Sequence, residues 1–215
     1  MPTVFDAYGT LFDFHAAVAR HHAAAGPDAT LFSELWRQKQ IEYTWTHTLA
    51  GRYVVFWTLT QRALDYCFHR FPSVDRKLRD DLLNAYLKLD AFPDALAVLR
   101  ELKRRGERTA ILTNGSPAMV GSAVEAAGLK TALDAVLSVD AVKMFKPRPE
   151  VYALVTEEFS CKPADVLFVS SNRWDAMGAT AFGFRTAWIN RAKAPDEYPD
   201  FPPATVVSGL TGLLS

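Results

Sequence analysis

Four short stretches of the sequence contain side chains suited to chemistry. FDAYGT supplies a carboxylate, a phenol and a hydroxyl, LTNGS supplies hydroxyls and an amide, FKPRPEVY supplies a lysine, and VSSNRWDA supplies hydroxyls, an amide and a second carboxylate. A lone aspartate after a strand is more often an N-cap or turn residue than a nucleophile. Four polar clusters, each following an apolar run, favour a shared site. The candidate residues are Asp6, Tyr8, Thr10, Thr113, Asn114, Ser116, Lys146, Ser170, Ser171, Asn172 and Asp175.

The elements that must position these side chains alternate between helix and strand from about residue 92 onward. RTAILT, DAVLSV, DVLFVS and RTAWIN predict strands, and the segments between them have helical periodicity. Short apolar strands separated by helices predict an α/β fold with a doubly wound, mainly parallel sheet. TVFDAYG has the same character, so we place it in this sheet with Asp6 at the carboxyl end of its strand. Open α/β sheets bind ligands at that edge.

Residues 14 to 91 do not alternate in this way. FHAAVARHHAAAG, LFSELWRQKQIEYTWTHTLAG, VVFWTLTQRALDYCFHRF and VDRKLRDDLLNAYLKL predict helices, separated at glycine and proline positions. We therefore expect an α/β core domain formed by residues 1–13 and 92–215, and an inserted helical cap subdomain, or lid, formed by residues 14–91. A lid over the sheet edge can exclude water and contact substrate.

The composition excludes several classes of function. Lys+Arg 24 and Asp+Glu 24 give a formal net charge of zero, so no global field favours nucleic acid or an anionic membrane. No apolar segment approaches the length of a membrane span, and polar residues interrupt the first 14 positions. Cys67 and Cys161 lack the spacing of a zinc site. We expect a cytoplasmic protein with free thiols, no nucleic-acid partner and no membrane partner.

The four stretches occur in the order of the motifs of the haloacid dehalogenase superfamily, which the whole chain resembles. FDAYGTLFD, LTNGSP, KPRPEVY and SSNRWDA match those motifs, and DAYGTLFD, LWRQKQIEYTW, GRYVVF and SSNRWDA are most similar to the L-2-haloacid dehalogenases. The resemblance implies the Rossmann-like fold of that superfamily with a cap. It also implies hydrolysis of small L-2-haloacids to D-2-hydroxy acids through an aspartyl ester. The expected partners are a small 2-haloalkanoic acid, the halide product and a second copy in a homodimer.

Tyr8 separates this reaction from that of a phosphatase with the same design. Phosphatases of this kind use Mg²⁺ and a second acid two residues after the nucleophile, which protonates a leaving alkoxide. A phenol with an ordinary pKa of about 10 is a poor replacement for that acid. A halide leaves without a proton, so dehalogenation loses nothing. We therefore expect neither a metal nor another cofactor.

The resemblance also implies a role for each candidate residue. Asp6 is the expected nucleophile, and the cation of Lys146 should keep it ionised. Thr10 and Ser170 should hold the Asp6 carboxylate, while Asp175 and Asn172 position or activate water. The expected substrate- and halide-binding residues are Arg37, Asn114, Thr113, Ser171, Tyr8, Ile41, Phe56, Tyr152 and Trp174, and the helix start near Ser116 should attract the substrate carboxylate.

Two rival functions follow from the same residues. One is a Mg²⁺-dependent phosphohydrolase of the same superfamily, and the other is a non-catalytic relative that binds small acids.

Three places in the sequence also depart from the pattern of the dehalogenases. Thr113 replaces a serine, Arg173 stands where a small residue is usual and either points to solvent or reshapes the site, and Thr46-His47 interrupts a more apolar and basic stretch.

Overall fold

The computed structural model describes residues 1–214 and contains a six-stranded parallel sheet. Its strands are β1 (Pro2–Phe5), β2 (Arg108–Thr113), β3 (Ala135–Ser138), β4 (Leu167–Ser170), β5 (Arg185–Ile189) and β6 (Thr205–Val207). The spatial order is β3-β2-β1-β4-β5-β6. This order reverses direction at β1, as in doubly wound folds, and it confirms the predicted fold class.

The central strand β1 is fixed by neighbours on both sides. Val4 pairs with Ala110 of β2 and with Phe168 of β4. All four residues of β1 are buried, as a strand covered on both faces requires. Asp6 follows directly and lies at the carboxyl edge of the sheet, where β2 and β4 also end.

Four helices accompany the strands after residue 94. They are α6 (Ala95–Arg104), α7 (Pro117–Ala126), α8 (Pro149–Phe159) and α9 (Arg173–Phe182), numbered after the five helices described below. Pro117 is the first residue of α7, as predicted, and Gly183 ends α9 at a φ of 106°, a conformation that favours glycine. The start of α9 directly after β4 places SSNRWDA at the same edge as Asp6.

Residues 14–91, all of them described, contain helices and no strand of the sheet. The helices are α1 (Ala16–Ala19), α2 (His22–Ala25), α3 (Ala29–Leu49), α4 (Phe56–Arg70) and α5 (Arg79–Leu87). The prediction of one helix over FHAAVARHHAAAG is wrong, because α1 and α2 are separate. His21, between them, departs from helical backbone angles. Thirteen residues of sequence are marginal for one helix without extensive packing.

The long helix α3 packs against α4 through one stripe of side chains. Trp36 is buried and donates from Nε1 to the carbonyl oxygen of Thr60 at 2.9 Å. Gln40, one turn later, donates to the Thr60 hydroxyl at 3.1 Å. These bonds fix the rotation of α3 about its axis. The neighbouring stripe, which contains Arg37 and Ile41, therefore remains available to the sheet edge.

The helical segment leaves and rejoins the sheet at one junction. The backbone of Asp13 donates to Asp90 at 2.9 Å, and the backbone of Phe92 donates to Leu11 at 2.8 Å. These two bonds hold the outgoing and returning chains side by side. The two ends of the segment are thus adjacent.

The edge strand β6 was not predicted from the sequence. It has only three residues, and two of them are exposed, so it lacks the apolar run that identified the other strands. No helix among the described residues has the length and apolar character needed to cross a bilayer.

Candidate active site

The site is centred on three charged side chains that are buried together. Lys146 Nζ lies 3.0 Å from Asp6 Oδ1 and 2.8 Å from Asp175 Oδ2. The exposed fractions of these residues are 1% for Lys146, 6% for Asp6 and 0% for Asp175. The ammonium therefore bridges the first and the fourth predicted motif in an environment almost free of solvent.

The charges in this cluster stabilise one another. Burial alone would lower the pKa of Lys146, but attraction by Asp175 and Asp6 outweighs burial and raises it. Burial raises the pKa of Asp175 to about 6, even though the Lys146 ammonium acts in the opposite direction. Lys146 therefore stays charged at neutral pH, whereas Asp175 titrates close to it.

The second oxygen of Asp6 is held by two neutral donors. Asn172 donates from Nδ2 to Asp6 Oδ2 at 2.7 Å, and the Thr10 hydroxyl donates to the same atom at 3.3 Å. Thr10 is itself fixed, because its Oγ1 accepts the backbone N–H of Ser171 at 2.8 Å. Both carboxylate oxygens of Asp6 thus have a defined direction. The contact of Thr10 was expected, whereas Asn172 was expected to act on water and its bond to Asp6 was not predicted.

The predicted contact of Ser170 with Asp6 is wrong. The Ser170 hydroxyl donates to Asp175 Oδ2 at 3.1 Å and accepts the backbone N–H of Asn172 at 3.1 Å. Ser170 is the last residue of β4 and Asp175 lies in the first turn of α9, so the chain brings the two together locally. Ser170 orients Asp175 rather than the candidate nucleophile.

Tyr152 also acts on Asp175. Its hydroxyl donates to Asp175 Oδ1 at 2.8 Å, and its ring is completely buried between α8 and the sheet. Burial is the first cause of a pKa well above the usual value for this phenol, and the charge of Asp175 adds to it. The residue is both a core side chain and a neutral donor that stabilises the charged form of Asp175.

The stretch LTNGS lies at the end of β2, beside the site. Asn114 Oδ1 accepts the backbone N–H of Lys146 at 3.0 Å, which leaves the NH₂ group as the end of the amide available to a ligand. Thr113 is buried and its Oγ1 accepts the backbone N–H of Gly115 at 3.0 Å. Ser116 precedes α7, so the first N–H groups of that helix lie beside Asn114.

Arg37 brings the helical segment into contact with the sheet edge. Its Nη2 donates to the carbonyl oxygen of Tyr8 at 3.3 Å and approaches Asn172 Oδ1 at 3.5 Å. The guanidinium also lies over the ring of Phe14, 4.7 Å from its centroid. The predicted cation of α3 therefore contacts Asn172, which in turn donates to Asp6.

Aromatic rings enclose the other side of the site. Tyr8 is buried and stacks on Tyr86 with centroids 5.6 Å apart, and Phe56 lies 6.0 Å from it. Burial raises the pKa of Tyr8 well above its usual value, so its hydroxyl is a weaker acid than an ordinary phenol. A Cβ at Gly115 would lie 2.8 Å from the Tyr8 ring, which explains glycine at that position. Tyr86 was not predicted, since a tyrosine in a helical pattern carries no site-specific signal.

A cavity of about 360 Å³, here called the inner cavity, lies beside this site and shares Arg37 and Asn172 with it. Four of its lining residues were predicted, namely Arg37, Ile41, Asn172 and Trp174. Four were not predicted, namely Phe14, Gln38, Glu42 and Trp45. Arg37, Ile41 and Trp45 are four residues apart along α3, so helical spacing from the candidate cation was a usable signal for Trp45.

Ser171 lies outside the inner cavity, in a larger neighbouring cleft of about 550 Å³. Phe14, Asn172 and Trp174 line both spaces and stand between them. The backbone N–H of Ser171 contacts Thr10, as described above, and its Oγ lies within 3.3 Å of the Thr10 hydroxyl. Ser171 therefore supports the strand end that carries the candidate nucleophile.

The unusual Arg173 does not face the cluster of charges. It is 4% exposed, and its Nε donates to Asp196 at 2.6 Å. Its Nη2 donates to the backbone carbonyls of Tyr198 and Phe201 at 2.7 and 3.0 Å. Arg173 thus neither points to solvent nor enters the site, but anchors the segment after β5.

The Nδ1 atom of His47 hydrogen bonds the Arg52 carbonyl at 2.8 Å, close to the end of α3.

Residues 1–214 contain no group of three or more His, Cys, Asp or Glu side chains arranged to hold a metal ion. The arrangement offers a carboxylate with fixed oxygens, an adjacent ammonium and, beside them, a cavity lined in part by Ile41, Trp45 and Trp174. A buried carboxylate of this kind can attack an electrophilic carbon and form an ester, which water then cleaves.

Comparison with known proteins identifies the family. The family model for haloacid dehalogenase-like hydrolases matches residues 3–183. (S)-2-haloacid dehalogenase 1 of Pseudomonas sp. (strain CBS-3) is 47% identical over 98% of this chain and 93% of its own length.

Two solved structures extend the likeness to the fold. The crystal structure of a dehalogenase superimposes with a TM-score of 0.97 at 45% identity, covering 99% of this chain and 94% of the other. L-2-haloacid dehalogenase from Xanthobacter autotrophicus, with chloropropionic acid covalently bound, gives a TM-score of 0.87 at 38% identity, covering 99% and 96%. On sequence and fold together, this chain belongs to the haloacid dehalogenase-like hydrolases.

Proposed function

We propose that the protein hydrolyses small L-2-haloacids to D-2-hydroxy acids and halide through an ester on Asp6. The observation that carries this proposal is the environment of Asp6. Its carboxylate is fixed by Lys146, Asn172 and Thr10, while the residue two positions later is a buried phenol rather than an acid. The similarity to relatives named (S)-2-haloacid dehalogenase supports the same reaction.

In the first step, one carboxylate oxygen of Asp6 attacks the carbon that carries the halogen. A carbon–oxygen bond forms as the carbon–halogen bond breaks with its electron pair, and the configuration at carbon inverts. The ammonium of Lys146, 3.0 Å from Asp6 Oδ1, favours the ionised nucleophile. The covalently bound chloropropionic acid in the Xanthobacter autotrophicus protein supports a covalent intermediate.

The halide would leave between Arg37 and Asn114. Arg37 supplies positive charge at the end of the inner cavity next to Asn172, and the Asn114 amide supplies a neutral donor. The substrate carboxylate would be received near Thr113 and the start of α7, where helical N–H groups without intrahelical partners attract anions. A halide is a stable anion, so this step needs no general acid.

In the second step, water attacks the carbonyl carbon of the Asp6 ester. Water gives one proton to Asp175, and the bond between the carboxyl carbon of Asp6 and the ester oxygen breaks. The leaving oxygen, which came from Asp6, takes up a proton as the hydroxy acid departs, and the second proton of water passes to solvent as Asp6 returns to a carboxylate. Asp175 and Asn172 position or activate this water. The pKa of Asp175 near 6 suits a group that must accept a proton close to neutral pH.

The proposal is tested by halide release from L-2-chloropropionate in the presence of a chelator. We expect turnover to continue after removal of divalent ions. The carbonyl oxygen of Tyr8 already accepts from Asn172 at 3.1 Å and from the cationic Arg37 at 3.3 Å, an environment that disfavours a metal ion.

An aryl phosphate serves as the matched alternative substrate in the same assay. Phosphate release that requires Mg²⁺, together with no halide release, would replace this proposal with a phosphohydrolase. Binding of small acids without turnover of either substrate would indicate the non-catalytic alternative.

Turnover is expected to decrease as the pH falls through about 6, because Asp175 must be ionised to act on water. Tyr152→Phe removes a hydrogen bond that stabilises the charged form of Asp175, so it should raise the pKa of that carboxyl. The acid limb of the kcat profile should then move to higher pH. The measurement is kcat against pH for both proteins.

Tyr66→Phe is the matched control for this profile, since Tyr66 lies on the exposed surface of α4. Its acid limb should coincide with that of the unmodified protein. If the acid limb of Tyr152→Phe lies at the same pH as that of the unmodified protein, ionisation of Asp175 does not control the rate-limiting step.

We further propose that residues 14–91 form the lid, that two copies form a homodimer and that the protein acts in the cytoplasm. Contacts from α3 to the site, such as Arg37, support the first of these. Exposed apolar side chains of this segment, among them Leu31 on α3 and Val55 directly before α4, offer an interface. The free thiols of Cys67 and Cys161 suit a reducing compartment.

A further inference from the structure

The inner cavity runs along one stripe of α3. Arg37, Ile41 and Trp45 line it at successive turns, and eight residues of helix span about 12 Å. Arg37 marks the end next to Asp6, because it contacts Asn172, which in turn holds the Asp6 carboxylate. Trp45 marks the far end.

An indole pair stands at that far end, where Trp45 is 37% exposed. The ring of Trp45 on α3 meets the ring of Trp174 on α9 edge to face, with centroids 5.4 Å apart and an interplanar angle of 88°. The pair joins the helical segment to the sheet domain. Trp174 lines both the inner cavity and the neighbouring cleft, whereas Trp45 does not line that cleft. Removal of Trp45 therefore changes the inner cavity and leaves the neighbouring cleft intact.

A separate cavity of about 350 Å³, here called the outer cavity, lies on the other side of Trp45. It is lined by Trp45, Thr48, Leu49, Lys146, Pro147 and Arg148, and its surface is almost entirely apolar. Trp45 is the only residue that lines both the inner and the outer cavity within the described chain. Its indole is therefore the partition between them.

We propose, on the basis of the function proposed above, that Trp45 limits the length of the 2-alkyl group that the enzyme accepts. The polar groups around Asp6 leave the apolar stripe along Ile41 as the direction open to an alkyl chain. A short chain ends beside Ile41. A longer chain meets the Trp45–Trp174 pair, and the apolar space behind the pair is closed to it.

The direct test compares L-2-bromohexanoate with L-2-bromopropionate in the unmodified protein and in Trp45→Ala. Loss of the indole joins the two cavities, so the ratio of kcat/KM for the long acid to that for the short acid should rise at least about tenfold. Trp45→Leu should give a smaller rise in the same direction. The same ratio in all three proteins would overturn the proposal.

Leu49→Ala is the matched control. Leu49 lies one turn further along α3, is 88% exposed and lines the outer cavity but not the inner one. The indole partition stays in place in this variant, so its substrate ratio should match that of the unmodified protein. If Leu49→Ala raised the substrate ratio as much as Trp45→Ala does, the indole partition would not be the cause of the preference for short acids.

Inhibition by acids without halogen separates binding from chemistry. Hexanoate should gain affinity relative to propionate as a competitive inhibitor in Trp45→Ala, and circular dichroism should show an unchanged helical content. Unmodified protein that releases no bromide from either acid would reject the proposed function. Bromide release with an unchanged preference in Trp45→Ala and Trp45→Leu would reject only the role of Trp45.

Discussion

Asp6→Asn is expected to lower halide release by at least about 10⁴-fold, the scale of loss when an enzyme loses its nucleophile. The amide keeps the size of the carboxylate but has no negative oxygen with which to attack carbon. The fold should persist, because Lys146 still pairs with Asp175 at 2.8 Å. Halide release measured by ion chromatography, with circular dichroism on the same sample, checks both expectations.

Asp13→Asn is the control for that variant, since FDAYGTLFD contains both acids. The Asp13 side chain accepts the backbone N–H of His15 at 2.9 Å and does not contact the Lys146 cluster. Loss of the Asp13 charge should change the rate of halide release by no more than a few fold relative to the unmodified protein. Sustained turnover in Asp6→Asn, with mass spectrometry confirming that the amide is intact, would reject Asp6 as nucleophile.

One turnover in heavy-oxygen water distinguishes the ester route from direct attack by water. The hydroxy acid should carry ordinary oxygen, because its new oxygen comes from Asp6, and the isotope should appear in the peptide that contains Asp6. Isotope in the hydroxy acid after that single round would instead mean that water attacks the substrate directly.

Lys146→Met is expected to reduce both stability and activity. Methionine is similar in length but leaves Asp6 and Asp175 buried together without a cation, and breaking a buried ion pair costs about 3–5 kcal/mol. Halide release should fall at least about 10²-fold, the scale for loss of a preorganised electrostatic group. Denaturant unfolding at about pH 8 measures the change in free energy of unfolding.

The stability of Lys146→Met should also depend on pH in a diagnostic direction. Without the cation, which lowers the pKa of Asp175, that pKa rises further in the folded state, so the folded protein binds more protons than the unfolded one. The free energy of unfolding of Lys146→Met should therefore increase as the pH falls from about 8 to about 5. The difference in stability between this variant and the unmodified protein should become smaller over the same range.

Lys143→Met provides the comparison, because Lys143 lies three residues earlier in the same segment and is exposed. It should unfold with nearly unchanged free energy at both pH values. Equal stability of Lys146→Met and Lys143→Met would mean that the buried ammonium does not offset the two carboxylates.

The sheet and most of the site could be predicted because both depend on local patterns. Apolar runs identified five strands, and parallel strands bring their carboxyl ends to one edge, so Asp6, Asn114 and Asp175 had to lie near one another. The edge strand β6 could not be found this way, since two of its three residues are exposed.

The partners of individual side chains were harder to predict. Ser170 ends β4 and Thr10 follows β1, yet only Thr10 reaches Asp6, and the difference depends on the direction in which each hydroxyl projects. Arg173 stabilises a loop more than 20 residues further along the chain through Asp196, which no local pattern indicates. Helical spacing from Arg37 could have placed Trp45 on the same face of α3, but its position between two cavities is visible only in the structure.

The junction between residues 11–13 and 90–92 bears on how such an enzyme diversifies. Because the two chain crossings are hydrogen bonded to each other, an insert of different length or shape can begin and end there without changing strand order. Genetic exchange of this insert would replace Arg37, Ile41 and Trp45 in a single event while Asp6, Lys146 and Asp175 remain in place. Selectivity and reactivity can therefore be inherited as separate modules.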